Sequence, residues 1–305
     1  MVFSFVACEN ESNHVHDFQW KEVKAATCTE DGVKQEICSI CKAEGKTEVI
    51  KALGHAVKDG KCVRCDATDL KVAKVGDVEY TTLAEAIEKA ESGSVITLLC
   101  DSYGKGLGSK DGEKIKESLI IDFNNHTYTM NDPAVGSTGY ETQAMHWGTS
   151  LGAVTMKNGT FNVVENPQSV KMAMQNYINF TAENMTFDFT NIPVVHYGED
   201  EFSGENVIYN GLEVPLFNNN KGEMLLKDCT VVMPVESNKG ISADGTSVTF
   251  ENTTIDGYVN IQEASSKLIL KGNSKVKDVV PYFAKDSIKK ATEGNDTIYT
   301  VNKAK

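Results

Sequence analysis

The chain has 305 residues, of which 40% are hydrophobic, so it can bury a sizeable core in one large domain or two smaller ones. Its 43 acidic residues outnumber the 30 basic residues, which gives a formal net charge of −13. Such a charge repels nucleic acid and anionic lipid, and we expect neither as a partner. No apolar run reaches the roughly 18 residues of a membrane-spanning helix.

The sequence begins with MVFSFVAC, an apolar run that ends in a cysteine and is followed by polar residues. This run resembles the end of a bacterial lipoprotein signal that is cleaved before Cys8, whose thiol would carry the lipid. The resemblance implies that residues 1–13 are a signal remnant and tether. It also implies an extracellular, cell-surface lipoprotein of a Gram-positive envelope that meets the membrane only through this anchor. A chance cysteine in a short tail is the alternative, because the positively charged front of such a signal is missing.

Six of the eight cysteines lie in the first 65 residues and mark a small module over residues 14–69. Cys38 and Cys41 form one CxxC pair, and Cys62 and Cys65 form a second. The separation of the pairs is close to the roughly 15–20 residues of tetrahedral zinc sites. We therefore expect one structural zinc ion on these four thiolates, because a segment with so few apolar residues needs a metal or a crosslink to fold.

Other uses of these cysteines stay open. His16 and His55 each precede a CxxC pair and are alternative ligands in a mixed His/Cys site. Disulfides are a further alternative, because an exported protein can oxidise its cysteines. Cys28 stands apart as a free thiol or part of an unexpected pair. A catalytic zinc is not expected, since such an ion keeps an open position beside an acid or base.

The module also carries a family resemblance. The stretch KAATCTEDGVKQEICSICKAEGKTEVIKALGH resembles modules that occur in tandem in large surface proteins of gut Firmicutes. The following stretch, GHAVKDGKCVRCDATD, is similar to the short zinc-ribbon half that ends such arrays. The resemblance implies a surface spacer or a stabilising module.

The second region, residues 72–305, begins with one short helix. Thr82 and Glu85 have the spacing of a capping box, and Gly93 is placed to stop the helix. The residues expected on its apolar face are Leu83, Ala86, Ile87 and Ala90. A lone helix before many strands favours a cap over an open sheet edge.

The rest of the region repeats an alternating strand, an Asn or Asp turn, and a second short strand. The turn residues taken as equivalent are Asn125, Asn158, Asn184, Asp228, Asn252 and Asn273. Asparagine tolerates left-handed backbone geometry, so a stack of such turns favours a parallel β-helix. A β-sandwich is the alternative, although its hairpins favour two-residue turns that contain glycine.

Two stretches of this region carry a second resemblance. VGDVEYTTLAEAIEKAESGSVITLL resembles the opening of right-handed β-helix domains of the pectin-lyase-like kind, and YFAKDSIKKATEGNDTIYTV resembles their closing segment. The expected fold class is therefore mainly β. It is a right-handed parallel β-helix with a short N-terminal capping helix, preceded by a zinc-ribbon-like module.

Enzymes of the resembling kind act on polysaccharides, with an Arg or Lys base beside calcium in lyases and clustered aspartates in hydrolases. The one arginine of this chain, Arg64, lies within a CxxC pair. An arginine base or a bidentate arginine clamp is therefore excluded from the β region. No pair of carboxylates stands out for glycosidase chemistry.

Two stretches that interrupt the repeat hold the weak candidates for a site. The acid–base candidates are Glu141, His146, His196 and Asp200. The candidates for stacking on a sugar are Tyr140, Trp147 and Tyr197. Solvated loops with a buried tryptophan are the alternative.

These observations favour a non-catalytic cell-surface lipoprotein that binds a polysaccharide or surface glycan, a host or matrix component, or another protein. A divergent polysaccharide lyase or glycoside hydrolase is the alternative.

Overall fold

The computed structural model describes residues 14–195, 217–234, 237 and 240–304. The chain forms two compact units. The first comprises residues 1–56 and 62–66, and the second comprises residues 57–61 and 67–305. The short strands β4 (Ala56–Lys58) and β5 (Lys61–Cys62) lie where the chain passes between them.

The first unit contains a three-stranded antiparallel sheet in the order β1-β2-β3. The strands are β1 (Phe18–Lys24), β2 (Gly32–Cys38) and β3 (Glu44–Ile50). Every residue of β1 is exposed. Among the described residues of this unit, the buried nonpolar side chains are Cys28, Cys38, Ala56 and Cys62. Burial of so little apolar surface leaves the fold dependent on something other than a hydrophobic core.

The second unit opens with an antiparallel hairpin and the expected helix. The elements are β6 (Ala73–Val75), β7 (Val78–Tyr80) and α1 (Leu83–Lys89). The hydroxyl of Thr82 accepts a hydrogen bond of 3.1 Å from the backbone N–H of Glu85, which confirms the predicted cap. The apolar face is buried as predicted, and the helix ends at Lys89, before Gly93. At seven residues α1 is far too short to span a bilayer, and no described helix is long and apolar enough to do so.

Most of the second unit is a large sheet in which three ladders of parallel strands can be followed. In the first ladder the strands are β8 (Val95–Leu98), β11 (Lys116–Asp122), β15 (Leu151–Val163), β17 (Asn179–Asp188), β19 (Met224–Lys227), β22 (Ser247–Glu251) and β24 (Lys267–Lys271). In the second ladder the strands are, in order, β9 (Asp101–Gly104), β12 (Thr127–Met130), the later halves of β15 and β17, β20 (Thr230–Val232), β23 (Thr254–Ile261) and β25 (Lys275–Pro281).

The third ladder is formed by β10 (Leu107–Ser109), β14 (Tyr140–Trp147), β16 (Met172–Asn176), β18 (Phe217–Asn219), β21 (Ile241–Ala243) and the later halves of β23 and β25. β13 (Val135–Ser137) pairs antiparallel with β14. At the far end, β26 (Ser287–Glu293) and β27 (Asp296–Asn302) form a hairpin whose second strand pairs antiparallel with β24. The mainly β prediction is thus confirmed, with a large and mostly parallel sheet.

Residues with a left-handed backbone conformation lie between the strands of the first ladder and those of the second. Positive φ occurs at Asn125, Asn158, Asn184, Asp228 and Asn252, which confirms five of the six predicted turn positions. The sixth is wrong by one residue, because Gly272 (φ 59°) holds the left-handed position instead of Asn273. Glycine adopts this geometry without a Cβ penalty, so the asparagine beside it is not needed there.

Strand alternation divides the first ladder into buried and outward columns. One buried column of the first ladder consists of Leu119, Val154, Phe180, Met224, Val248 and Leu268. An outward column alternates in charge along Asp122, Lys157, Glu183, Lys227, Glu251 and Lys271. The Nζ of Lys227 lies 3.7 Å from a carboxylate oxygen of Glu251. Opposite charges on neighbouring strands favour this register over a shifted one.

Lys227→Glu tests this charge column, because it places a carboxylate between those of Glu183 and Glu251. We expect the free energy of unfolding to fall by about 1–2 kcal/mol at low salt, and the loss to shrink at about 1 M salt. Urea unfolding at both salt concentrations measures the effect. Lys275→Glu is the matched control, because its cross-strand neighbour is Thr254. Equal losses in the two variants would contradict the role of the column.

Candidate functional site

The first candidate metal cluster joins His14 and His16 to Cys38 and Cys41. Antiparallel pairing sets Phe18 opposite Cys38, so the chain just before β1 lies beside the turn that follows β2. The two histidines are two residues apart and share one side of an extended chain. The turn is held by the N–H of Cys38 on the carbonyl of Ala43, at 2.8 Å.

The second cluster joins Cys28 and His55 to Cys62 and Cys65. Cys28 is presented by a tight turn in which the hydroxyl of Thr27 accepts from the N–H of Glu30 at 3.0 Å. The N–H of Leu53 donates to the carbonyl of Thr27 at 2.8 Å, which carries the chain leading to His55 beside this turn.

The spacing of the side-chain atoms fits a metal ion at each cluster. A tetrahedral zinc ion, with Zn–S bonds of about 2.3 Å and Zn–N bonds of about 2.0 Å, holds S and N about 3.5 Å apart and two sulfurs about 3.8 Å apart. The measured separations are 3.6 Å for Cys38 Sγ to His14 Nε2, 3.3 Å for Cys41 Sγ to His16 Nδ1, 3.6 Å for Cys65 Sγ to His55 Nδ1 and 3.8 Å for Cys28 Sγ to Cys62 Sγ. Thiol hydrogen bonds have similar lengths, so these pairwise distances alone do not distinguish a metal site from hydrogen bonding. The stronger indication of a metal site is that four ligand atoms in each cluster lie within 4.8 Å of one another.

Two of the thiols have a low pKa. Burial would raise the pKa of Cys38, but the N–H of Cys41 and the imidazoles of His16 and His14 bring it to about 5. Burial would likewise raise the pKa of Cys62, but the N–H of Arg64 and the imidazole of His55 bring it to about 6. Both residues are therefore thiolates at neutral pH, the form that binds metal.

Cys28 behaves differently. Burial, together with the neighbouring thiols of Cys65 and Cys62, raises the pKa of Cys28 to about 11. The neighbouring sulfurs disfavour ionisation of Cys28, and a divalent cation placed among them would reverse that effect.

This arrangement differs from the single four-cysteine site that the sequence favoured. The structure divides the two CxxC pairs between two clusters and adds His16 to the first and His55 to the second. Sequence reasoning missed His14 and gave Cys28 no definite partner. The His-x-His spacing of residues 14 and 16 was the available signal for the first cluster.

Arg64, the one arginine, has a structural role. Its Nη1 donates to the carbonyls of Leu53 and Gly54 at 3.0 and 3.4 Å, and its backbone N–H donates to Cys62 Sγ at 3.3 Å. The side chain thus holds the loop before His55 against the second CxxC turn.

In the second unit, Glu141 and His146 line one cavity of about 440 Å³. His146 is 2% exposed, and its Nε2 lies 3.1 Å from a carboxylate oxygen of Asp111. Burial raises the pKa of Asp111, but the hydroxyl of Ser137 and the imidazole of His146 lower it below its ordinary value. The wall of the cavity therefore includes a buried imidazole that contacts a partly exposed carboxylate.

The remaining candidates are placed as follows. Tyr140 is 70% exposed, whereas Trp147 is 0% exposed and belongs to the core, where its ring cannot stack on a sugar. Residues 140–147 form β14 and not a loop, and the buried tryptophan agrees with the alternative reading of this stretch. His196, Tyr197, Asp200 and Cys8 lie outside the described residues.

A scan against protein-family models found no match for this chain, and searches of the curated proteins and of the solved structures found none either. The class of protein is therefore defined by the fold and the side-chain clusters alone. It is a mainly β protein with a large, mostly parallel sheet and Cys/His clusters near the N-terminus that could hold metal.

Asp111→Asn tests the link between Asp111 and His146. Because the native pKa of Asp111 lies below its unfolded value of about 3.9, its stabilisation is present above that pH and is lost as pH falls through the native pKa. Asp111 is 42% exposed, so we expect a loss below about 1 kcal/mol at pH 7 that begins to shrink as the pH falls below about 4. Urea unfolding from pH 3 to pH 7 measures it. Asp77→Asn, on the β6–β7 turn, is the control, and a loss as large at pH 3 as at pH 7 would refute the assignment.

Proposed function

We propose that this chain is a non-catalytic, extracellular surface protein in which a zinc-folded module precedes a β domain that binds a partner. The observation that carries the proposal is the pair of four-residue Cys/His clusters in the first unit. Each offers four protein ligands, which fills a tetrahedral zinc ion and leaves no position for substrate. The zinc is therefore structural and not catalytic.

Ligand chemistry supports zinc over other metals. The first cluster offers two imidazoles and two thiolates, and the second offers three thiolates and one imidazole. Both sets are typical of structural zinc, whereas magnesium and calcium prefer oxygen ligands. The described part of the first unit has almost no buried apolar surface, so metal binding supplies the free energy that a core would otherwise give.

The three parallel ladders support a right-handed parallel β-helix for the second unit. The long strands β15, β17 and β23 each pair with neighbours in more than one ladder, as expected when successive coils stack. A stacked scaffold of this kind presents a long outer surface for a glycan, a matrix component or another protein. A surface location rests on the lipoprotein resemblance at Cys8.

Enzymatic activity on polysaccharide is the second candidate, and one observation favours it. Glu141 and His146 line the same cavity, and Asp111 contacts His146. Against it, His146 is almost fully buried, and Arg64 is committed to the first unit. A lysine base is still available to such an enzyme, since Lys105, Lys110 and Lys116 line the cavity.

Elemental analysis of protein purified without added zinc tests the metal assignment. We expect two zinc ions per chain, and loss of one in Cys28→Ser and of one in Cys38→Ser. Cys100→Ser is the control, because Cys100 belongs to neither cluster. One ion per chain that requires Cys38 and Cys62 together would restore the single four-cysteine site. Absence of metal with oxidised thiols would replace zinc by disulfides.

His146→Gln separates binding from catalysis. A panel of plant and bacterial cell-wall polysaccharides is assayed for binding by affinity electrophoresis and for release of reducing ends or unsaturated products. We expect no turnover by either protein, and retention that is unchanged by the substitution. Turnover by the natural sequence that His146→Gln lowers by about 100-fold or more would establish the enzyme instead. Tyr140→Phe, at an exposed position, is the control.

A further inference from the structure

The cavity that His146 and Glu141 line in the second unit has the size and walls of a small-molecule site. Its volume of about 440 Å³ falls in the range of about 300–1,000 Å³ that is typical of ligand pockets. One wall is α1, which contributes Ile87, and the opposite walls come from the chain around β10, β11 and β13. The apolar side chains that matter most are Ile87, Ile115, Leu119, Val135 and Leu151.

The rim of the cavity carries an apolar side chain that the protein leaves in water. Ile115 is 75% exposed and lies beside the start of β11. Deeper in, Ile87, Leu119 and Leu151 are buried, so the apolar surface is continuous from the core to the rim. A ligand with an apolar body would bury Ile115, and this burial favours binding.

The charges around the cavity differ from those of the whole chain. The chain has a net charge of −13, yet three lysines line the cavity beside two carboxylates, Glu88 and Glu141. Lys116 is already engaged, because its Nζ donates to the carbonyls of Ile87 and Glu88 at 3.0 and 2.9 Å at the end of α1. Glu141 accepts from the N–H of Gly139 at 3.1 Å.

Lys105 and Lys110 are the two cationic side chains left to meet a ligand. Neither amine takes part in a salt bridge among the described residues. Both lysines are exposed and line the cavity, so their ammonium groups are accessible to the anionic group of a ligand, and the attraction is expected to weaken with salt.

We propose that this cavity binds a small amphiphilic organic anion, whose apolar body lies against Ile115, Leu119 and Val135 and whose acidic group is held by Lys105 and Lys110. The inference goes beyond the proposed function, since it requires neither zinc nor a glycan or protein partner.

The probe for this site is 8-anilinonaphthalene-1-sulfonate, which combines an aromatic body with one sulfonate and fluoresces when its surroundings are apolar. Titration of the full chain should give one site per chain, with a Kd on the order of 10 μM. The double variant Lys105→Gln/Lys110→Gln should weaken binding by about tenfold or more. Lys267→Gln, on β24 and away from the cavity, should leave it unchanged.

Two variants test the apolar body. Ile115→Asp introduces a carboxylate at an exposed position that folding does not need, and we expect at least a tenfold loss of affinity. Val135→Trp fills the cavity and should abolish binding, whereas Val78→Trp, at an exposed site on β7, should not. Circular dichroism checks that each variant folds. If Val135→Trp does not fold, the affinity of Ile115→Asp alone tests the apolar part of the site.

The neutral probe N-phenyl-1-naphthylamine tests the requirement for charge. It should bind more weakly than the sulfonate and should be insensitive to the lysine substitutions. Unchanged affinity of the sulfonate probe for Ile115→Asp would overturn the site. An affinity of the sulfonate probe that Lys105→Gln/Lys110→Gln leaves unchanged would overturn the preference of the site for an anion.

Discussion

The second unit depends on the left-handed turn that separates its first ladder from its second. At Asn158, Asn184, Asp228 and Asn252 the backbone turns with φ between 49° and 58°, and each turn residue is followed two positions later by a threonine of the second ladder. Because every turn has the same length, the charged residue before it and the threonine after it fall into register on successive strands. A slip by one residue would bring the charged column into the core, so the turn chemistry and the alternation reinforce one another.

The first unit has little buried apolar surface, so its stability depends on other interactions. Its sheet has one fully exposed strand, and among its described residues three of the four buried nonpolar side chains are cysteines. Each of the two clusters brings together segments that are far apart in sequence, His14 and Cys41 in one and Cys28 and Cys65 in the other, and a metal ion held there would crosslink them. Crosslinks that close long loops remove entropy from the unfolded chain, and they do most for a segment whose core cannot compensate. Such crosslinks would account for the five cysteines of the two clusters, all of which belong to the first unit.

Features set by local sequence could be predicted, and features set by distant pairing could not. The cap of α1 and five of the turn residues follow from residues that are neighbours along the chain. The ligand sets depend instead on the register of β1 against β2 and on the hydrogen bond between Leu53 and Thr27, which no spacing rule reveals. Trp147 failed as a stacking residue for a related reason, because the pairing of β14 with β10 and β16 buries every residue from Gln143 to Trp147, and composition does not reveal that pairing.

The cavity follows from the way the helix covers the start of the sheet. With seven residues, α1 is only about 10 Å long, and it buries Leu83, Ala86 and Ile87 but cannot cover the first strands of all three ladders. β10 adds little bulk to the uncovered area, since Gly108 lies against the carbonyl of His146 so closely that a Cβ would collide with it. The space between the short helix and Gly108 and Ser109 of β10 is then lined by neighbouring side chains, among them Leu119 and Val135. The cavity at this end is therefore a consequence of how the sheet is capped, and the segments that flank β10 contribute Lys105, Lys110 and Ile115 to it.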